Sequence, residues 1–449
     1  MSLSPTGRAI AAAVGIGMLW VGSASAETLR EAMAAAYANN PTLNAERAAL
    51  RATDEGVPQA LAGYRPVVSA GATAGVTSSG GSVLYPRSIS ITVEQPIFLG
   101  HRTTNGVKIA ETAVLAGREA LRNVEQNTLL AAAQAFMGVV RAQAILNVRR
   151  ENLDFLAEQV RAAEDRLRVG EGTRTDVAQT RASQAAGQAE FNSAAAQLNT
   201  AIAVYQQVIG HEPRSLGAAP PVDGLLSRSL NAALADAMTA HPAILASGYN
   251  IDVAEFNVKV TEGEMLPSVT VTGSLSHSAD SGGPGASSSA QLMGRLSVPI
   301  YEGGRTTSRV RAGKEILGQR RIELDAARDQ VRQAVISAWG GLDAARAQIR
   351  AAEAQIAAEQ LVLSGVIEER RVGQRTTLDV LNAQQNLLDA RLLLINAQHD
   401  RVIASYSLLA AVGMLNAERL GLAVQRYDPT HHYIQVRDSW GGLRTPDGR

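Results

Sequence analysis

The fold of this chain is decided by a stretch of sequence that occurs twice. The first copy is Pro96-Ile97-Phe98-Leu99-Gly100-His101-Arg102-Thr103-Thr104, and the second is Pro299-Ile300-Tyr301-Glu302-Gly303-Gly304-Arg305-Thr306-Thr307. In each copy an alternating run of apolar and polar residues comes before the stretch, and a long run without proline follows it. A repeat at a fixed spacing is the signature of a duplicated structural unit. The chain is therefore predicted to contain the same unit twice.

Other matched segments keep the same spacing, among them Arg168-Val169-Gly170 with Arg371-Val372-Gly373. The spacing changes by two residues between Pro66 and Pro96, where each half carries a Gly/Ser-rich segment, 78–82 and 281–289. Length variation belongs in surface loops. Each half is therefore predicted to contain one hairpin whose tip tolerates insertions.

The strand signals lie on both sides of these tips. Val269, Val271 and Leu275 alternate with serine and threonine, and the run from Ser88 to Glu94 shows the same period of two. Each run has about the length that a tilted strand needs to cross a bilayer. A soluble hairpin with one face on a core fits this pattern equally well.

Two long helices are predicted, over 102–168 and 305–371. Both segments lack proline and are rich in good helix formers, and each would extend roughly 100 Å. Seam residues recur at spacings of three and four from Val139 to Leu167, and the phase is kept in the second half, which predicts supercoiled helices. The helices are expected to end near Gly170 and Gly373, where Thr173 and Thr376 would cap the next helix of each hairpin.

Residues 1–26 are predicted to be a secretory signal peptide. Arg8 precedes a short apolar stretch, 9–22, and Ala24-Ser25-Ala26 resembles a cleavage site. No later run of 18 apolar residues predicts a transmembrane helix, so a membrane-embedded form requires a closed β-barrel.

The composition excludes several kinds of function. Lys and Arg together number 42, as do Asp and Glu, and this balance argues against nucleic-acid binding. The chain has no cysteine and shows no catalytic constellation, so neither an enzyme nor a cofactor or metal site is predicted. Adjacent His431 and His432 are interpreted as part of a solvated tail.

The sequence resembles the TolC family of outer-membrane channel-tunnel proteins. The segments that carry the resemblance are 169–177, 299–305 and 371–383, and it extends over the whole mature chain. It implies a mainly α-helical homotrimer with a small, shared twelve-stranded β-barrel in the outer membrane and a helical tunnel in the periplasm. It further implies a first repeat over 27–212, an equatorial linker over 213–227, a second repeat over 228–415 and a C-terminal equatorial tail over 416–449.

The expected partners are outer-membrane lipid, a periplasmic adaptor and an inner-membrane pump of the ABC or RND type. The stretch from Tyr427 to Trp440 resembles that of members used in type I protein secretion, which favours this role over drug efflux. Two alternatives of another class stay open on the sequence: a periplasmic adaptor with a coiled-coil hairpin, and a secreted structural coiled coil.

The resemblance also implies a periplasmic gate. Thr175 and Asp176 match the family's pair on one hairpin, and Arg375 matches its arginine on the other, so they are expected to form a latch. Arg370 replaces a latch tyrosine and is expected to reach Asp176 as an ion pair.

The predicted constriction consists of Asp379 and Asn382, one helical turn apart. The family carries two acidic residues at these positions, so the ring of negative charge is expected to be weaker here. Ordinary helix N-terminal charge is the alternative role for Asp176 and Asp379.

Overall fold

The computed structural model describes residues 26–280 and 285–448. The predicted signal peptide lies outside the described residues except for Ala26, and so does part of the second hairpin tip. Ten helices and six strands are numbered along the described chain: α1 Leu29–Asn39, α2 Pro41–Asp54, α3 Gly56–Leu61, β1 Val67–Ala74, β2 Thr77–Ser79, β3 Ser82–Leu84, β4 Pro86–Leu99, α4 Arg102–Val169, α5 Arg174–Ile209, α6 Leu230–Ala240, α7 Pro242–Gly263, β5 Ser268–Asp280, β6 Ser287–Ser297, α8 Arg305–Arg371, α9 Thr377–Ala411 and α10 His431–Val436.

The two long helices are confirmed, and each begins a helical hairpin. Gly170 and Gly373 adopt left-handed backbone conformations, with φ of 84° and 80°, at the turns after α4 and α8. Glycine is favoured there because it has no Cβ to clash with the backbone. Thr173 and Thr376 cap α5 and α9 as predicted.

The strands form one four-stranded antiparallel sheet in the order β1-β4-β5-β6, and β2 and β3 extend the first hairpin. The central pair joins the two repeats, since Ile91 of β4 lies opposite Leu275 of β5. One face of the sheet is aliphatic and the other is rich in serine and threonine. Hydroxyl pairs cross the polar face, such as Ser276 with Ser289 at 2.8 Å.

The junction between strand and helix brings the two repeats into close contact. A Cβ on Gly100 would lie 2.3 Å from the carbonyl oxygen of Gly263, so glycine is required there. The next residue, His101, has a φ of 62°, and Gly304 occupies the matched position in the second repeat with 82°. The repeat thus preserves the left-handed turn with two different residues.

Two apolar clusters occupy the middle of the helical region. The larger one packs α1, α4, α5 and α9 together with residues 415–427 around Phe136 and Tyr205. The smaller one packs α6, α7, α8 and α9 around Val335 and Leu408.

One helix in the described part of the chain, α4, is long and apolar enough to cross a membrane by length and composition alone. Half of its apolar window, which has a mean hydropathy of 1.5, is buried inside the chain. Since α4 contributes Leu129, Phe136 and Val139 to the larger cluster, packing against neighbouring helices gives a reason for this composition.

The interpretation of His432 as part of a solvated tail is wrong. His432 is buried, and its ring nitrogen Nδ1 lies 3.0 Å from Oδ2 of Asp54, which is fully buried. The neighbouring His431 is exposed. Adjacent residues on a helix point in different directions, so α10 docks one histidine on α2 and leaves the other in solvent.

Candidate functional site

The candidate site consists of the two hairpin turns at the far end of the helices. At the first turn, the backbone N–H of Asp176 donates to Oγ1 of Thr173 at 3.1 Å, and the backbone N–H of Thr173 donates to Oδ2 of Asp176 at 3.1 Å. This reciprocal capping box satisfies two N–H groups at the start of α5. Thr175 beside it is exposed.

The second turn repeats this arrangement. The backbone N–H of Thr376 donates to Oδ2 of Asp379 at 2.8 Å, and the backbone N–H of Asp379 donates to Oγ1 of Thr376 at 3.2 Å. These bonds from the backbone and hydroxyl of Thr376, with the nearby Arg375 guanidinium, hold the pKa of Asp379 below its ordinary value. Both aspartates therefore have a local role as caps, which is the alternative that the sequence left open.

The two arginines predicted to belong to the latch have partners within their own chain. Nε of Arg375 donates to Oε2 of Glu369 at 2.8 Å across the second turn, with both side chains about half exposed. Arg370 donates from Nη1 to Oε1 of Gln159 on α4 at 2.8 Å. Within one chain, Gln159 on the facing helix is thus the partner of the Arg370 guanidinium, and the expected ion pair between Arg370 and Asp176 stays a prediction.

Polar contacts that no sequence pattern had indicated connect the two hairpins. Nε2 of Gln384 on α9 donates to Oδ1 of the buried Asn152 on α4 at 3.0 Å, and Arg391 pairs with Glu151 at 3.1 Å. A buried amide in an alanine-rich seam costs free energy unless it is hydrogen-bonded. Asn152 beside the seam residue Leu153 was the signal that could have indicated the contact.

The predicted constriction residues lie on α9, one turn apart. Asp379 is half-buried and Asn382 is exposed. Among the described residues, no group of three or more His, Asp or Glu side chains is arranged to hold a metal ion. The chemistry at the turns is therefore that of caps, ion pairs and fixed charge.

Together, the amphipathic sheet and the two long helical hairpins define the class of outer-membrane channels with a periplasmic helical tunnel. The family model described as "Outer membrane efflux protein" matches residues 32–211 and 233–414, one match in each half of the chain. The chain belongs to this family, as the resemblance to TolC channels predicted. It lies in the outer membrane with its helical tunnel in the periplasm.

Curated relatives have names from both efflux and secretion. The chain is 47% identical to the outer membrane efflux protein BepC of Brucella suis, over 95% of this chain and 94% of that protein. It is 24% identical to the alkaline protease secretion protein AprF of Pseudomonas aeruginosa, over 75% of this chain and 72% of that protein. These matches support an outer-membrane channel of a tripartite export system.

A solved structure shows the same fold. The Campylobacter jejuni CmeC outer membrane channel superposes with a TM-score of 0.77 at 16% identity, and the match covers 91% of this chain and 89% of that one. The predicted fold class, mainly α-helical with a small strand region and a two-fold internal repeat, is confirmed.

Proposed function

We propose that three copies of this chain close their sheets into one twelve-stranded barrel and their helices into one tunnel, forming the passive exit channel of a tripartite export system. The supporting observation is the aliphatic face of the sheet. Val68, Ile89 and Leu292 on this face are 67%, 62% and 79% exposed. β1 and β6 are edge strands, whose unpaired backbone groups need partners in a lipid environment.

Purified mature protein in detergent tests this proposal. We expect a heat-sensitive trimer that inserts into planar bilayers and conducts. A protein that stays monomeric and soluble without detergent would contradict the closed barrel and favour the alternative of a periplasmic coiled-coil protein.

The two turns form the gate of this channel in the proposal. Asp176 and Thr175 of one subunit meet Arg375 of a neighbouring hairpin, and Asp379 with Asn382 narrows the entrance. Partly buried Arg370 supports a further contact, since its Nε has no hydrogen-bond partner among the described residues. Burial and the neighbouring Arg166 lower the pKa of this guanidinium, as expected of a cation without an anionic partner.

The proposed partners are a periplasmic adaptor and an inner-membrane pump, as membership of the outer membrane efflux protein family supports. We propose type I protein secretion as the pathway, which rests on the resemblance of the segment from Tyr427 to Trp440. Drug efflux is the second candidate, and the 47% identity to an outer membrane efflux protein of Brucella suis supports an efflux role.

Deleting the gene and measuring both secreted proteins and drug tolerance separates the two pathways. Loss of a secreted protein with unchanged drug tolerance supports type I secretion. Increased drug sensitivity with normal secretion supports efflux.

A further inference from the structure

The polar face of the sheet carries two charges of opposite sign. All the remaining residues on this face are uncharged, and most are serine or threonine; the face is taken over 67–74, 88–95, 268–279 and 287–297. Glu94 lies on β4 and Arg295 on β6, and together they line one depression across β5. Both side chains are exposed, and neither has a hydrogen-bond or ion-pair partner within the described chain.

The register places the two charges near each other but not in contact. Glu94 lies opposite Thr272 of β5, and Arg295 lies opposite Thr270, which is two residues away on the same strand and face. Two strand spacings separate β4 from β6, about 10 Å. The depression that the two side chains line includes residues from β4, β5 and β6.

The repeat does not account for these charges. The position matched to Glu94 is Ser297, and the position matched to Arg295 is Thr92. A structural requirement common to both repeats would place the same kind of side chain at each matched pair. The charges therefore belong to this face as a whole and not to the duplicated unit.

We propose that Glu94 and Arg295 form a belt of alternating charge inside the barrel, with no net charge. The proposal rests on the proposed closure of three sheets. In the closed ring, β6 of one subunit is followed by β1 and then β4 of the next, so β4 and β6 alternate at every second strand. Three carboxylates and three guanidinium groups then alternate around the pore. Such a belt passes cargo of either sign, whereas each charge alone would select for the opposite sign.

The absence of cysteine allows a direct test with single thiols. Thr272→Cys places a reporter between the two charges, and its rates of modification by a cationic and an anionic methanethiosulfonate are measured in the trimer. In this background both reagents are expected to react at similar rates relative to a free thiol. For a unit charge about 7 Å away in water, each rate changes about threefold and the two rates change in opposite directions. Adding Glu94→Gln is therefore expected to raise the anionic-to-cationic rate ratio about sevenfold, and adding Arg295→Gln to lower it by about the same factor.

Two controls make the test specific. The triple variant with both charges removed is expected to return to the ratio of the reporter alone, and 1 M salt is expected to remove the differences, since it screens charge beyond about 3 Å. Ile91→Cys, on the aliphatic face, is expected to react with neither reagent.

The possible results separate a failure of the charge belt from a failure of the closed channel. A reactive thiol at position 272 whose rate ratio does not respond to either charge overturns the belt but leaves the channel intact. A reactive thiol at position 91 with an unreactive one at 272 shows that the polar face is outside, and both proposals then fail.

Discussion

The helices α4 and α8 are copies of one another, yet α4 packs against helices of both repeats and α8 chiefly against helices of its own repeat. α4 packs against α1, α2, α5, α7 and α9, whereas α8 packs chiefly against α6, α7 and α9. On α8, Ile322 and Leu361 are 71% and 75% exposed. The matched residues on α4 are Glu119 and Glu158, which are charged. A large apolar residue where the copy has a carboxylate indicates a surface that another subunit covers.

One repeated unit thus forms two different sets of helix contacts. Each repeat packs its own N-terminal helices on its long helix, α1 and α2 on α4, and α6 and α7 on α8. α4 also packs against α7 and α9 of the second repeat, and α10 of the C-terminal tail covers α2. α8 packs chiefly within its own repeat, and its remaining open side fits a ring in which the next subunit supplies the cover.

Charging the open side of α8 is expected to abolish the trimer. The double substitution Leu361→Glu and Ile322→Glu gives α8 the glutamates that α4 carries at the matched positions. Burial of each apolar side chain at the subunit contact stabilises the trimer by about 1.5–3 kcal/mol. Native electrophoresis or light scattering in detergent measures the assembly. Leu361→Met is the control and should keep the trimer. An intact trimer in the double variant would show that this side of α8 faces solvent.

Opening the gate is expected to raise conductance severalfold. Asp176→Ala and Arg375→Ala each remove one partner of the proposed latch between hairpins, so single-channel currents in planar bilayers should increase. Thr173→Ala is the matched control, since it removes the cap of α5 at a cost of about 1 kcal/mol but keeps the carboxylate. An equal increase in this control would assign the effect to the cap, and unchanged conductance in both latch variants would remove these residues from the gate.

Removing the buried histidine is expected to loosen the cover of the first repeat. His432→Ala leaves the carboxylate of Asp54 without its ring partner, which costs about 1–3 kcal/mol. Faster proteolysis of the segment after 426 measures the loss. The exposed neighbour offers a control one residue away, because His431→Ala should have no effect. Equal protease resistance in both variants would mean that the pair does not hold the tail.

The charge of Asp379 at the second turn is expected to resist acid. The pKa of Asp379 is held low, so its charge persists as the pH falls past the ordinary carboxyl value of about 4 and is lost only through the lowered value. Any stability it contributes is lost in the same lower range. Reversal potentials across a salt gradient, compared with those of Asp379→Asn, isolate its cation preference at each pH.

Two bonds from Thr376 lower the pKa of Asp379, the backbone N–H first and the hydroxyl second. Thr376→Ala removes the hydroxyl bond and keeps the backbone bond, so the loss of cation preference should move partway to higher pH. No shift in this variant would mean that the hydroxyl bond does not contribute to the titration.

Much of the fold could be predicted because duplication and periodicity are local properties of the sequence. The long helices begin at Arg102 and Arg305 as expected, and Thr173 and Thr376 cap the helices that follow. Capping depends on residues three positions apart, which the sequence displays directly. The pairing of Asp54 with His432 spans most of the chain, and no local pattern indicated it.

The candidate site was predicted less completely. The sequence identified the turns that carry Asp176 and Asp379, but it did not identify Gln159 as the partner of Arg370 or Gln384 as the partner of Asn152. These contacts depend on how the two hairpins lie against one another. The order of residues in the sequence does not specify the distance between the hairpins.

The sequence by itself determined the duplicated unit, the helix ends, the two-faced strands and the family, because each depends on the order of neighbouring residues and their spacing. The tertiary structure decided which of the two long helices packs against both repeats. It also decided which partner each arginine contacts and which of two adjacent histidines is buried. These outcomes depend on contacts between residues far apart in the chain, where packing selects one neighbour from many of similar chemistry.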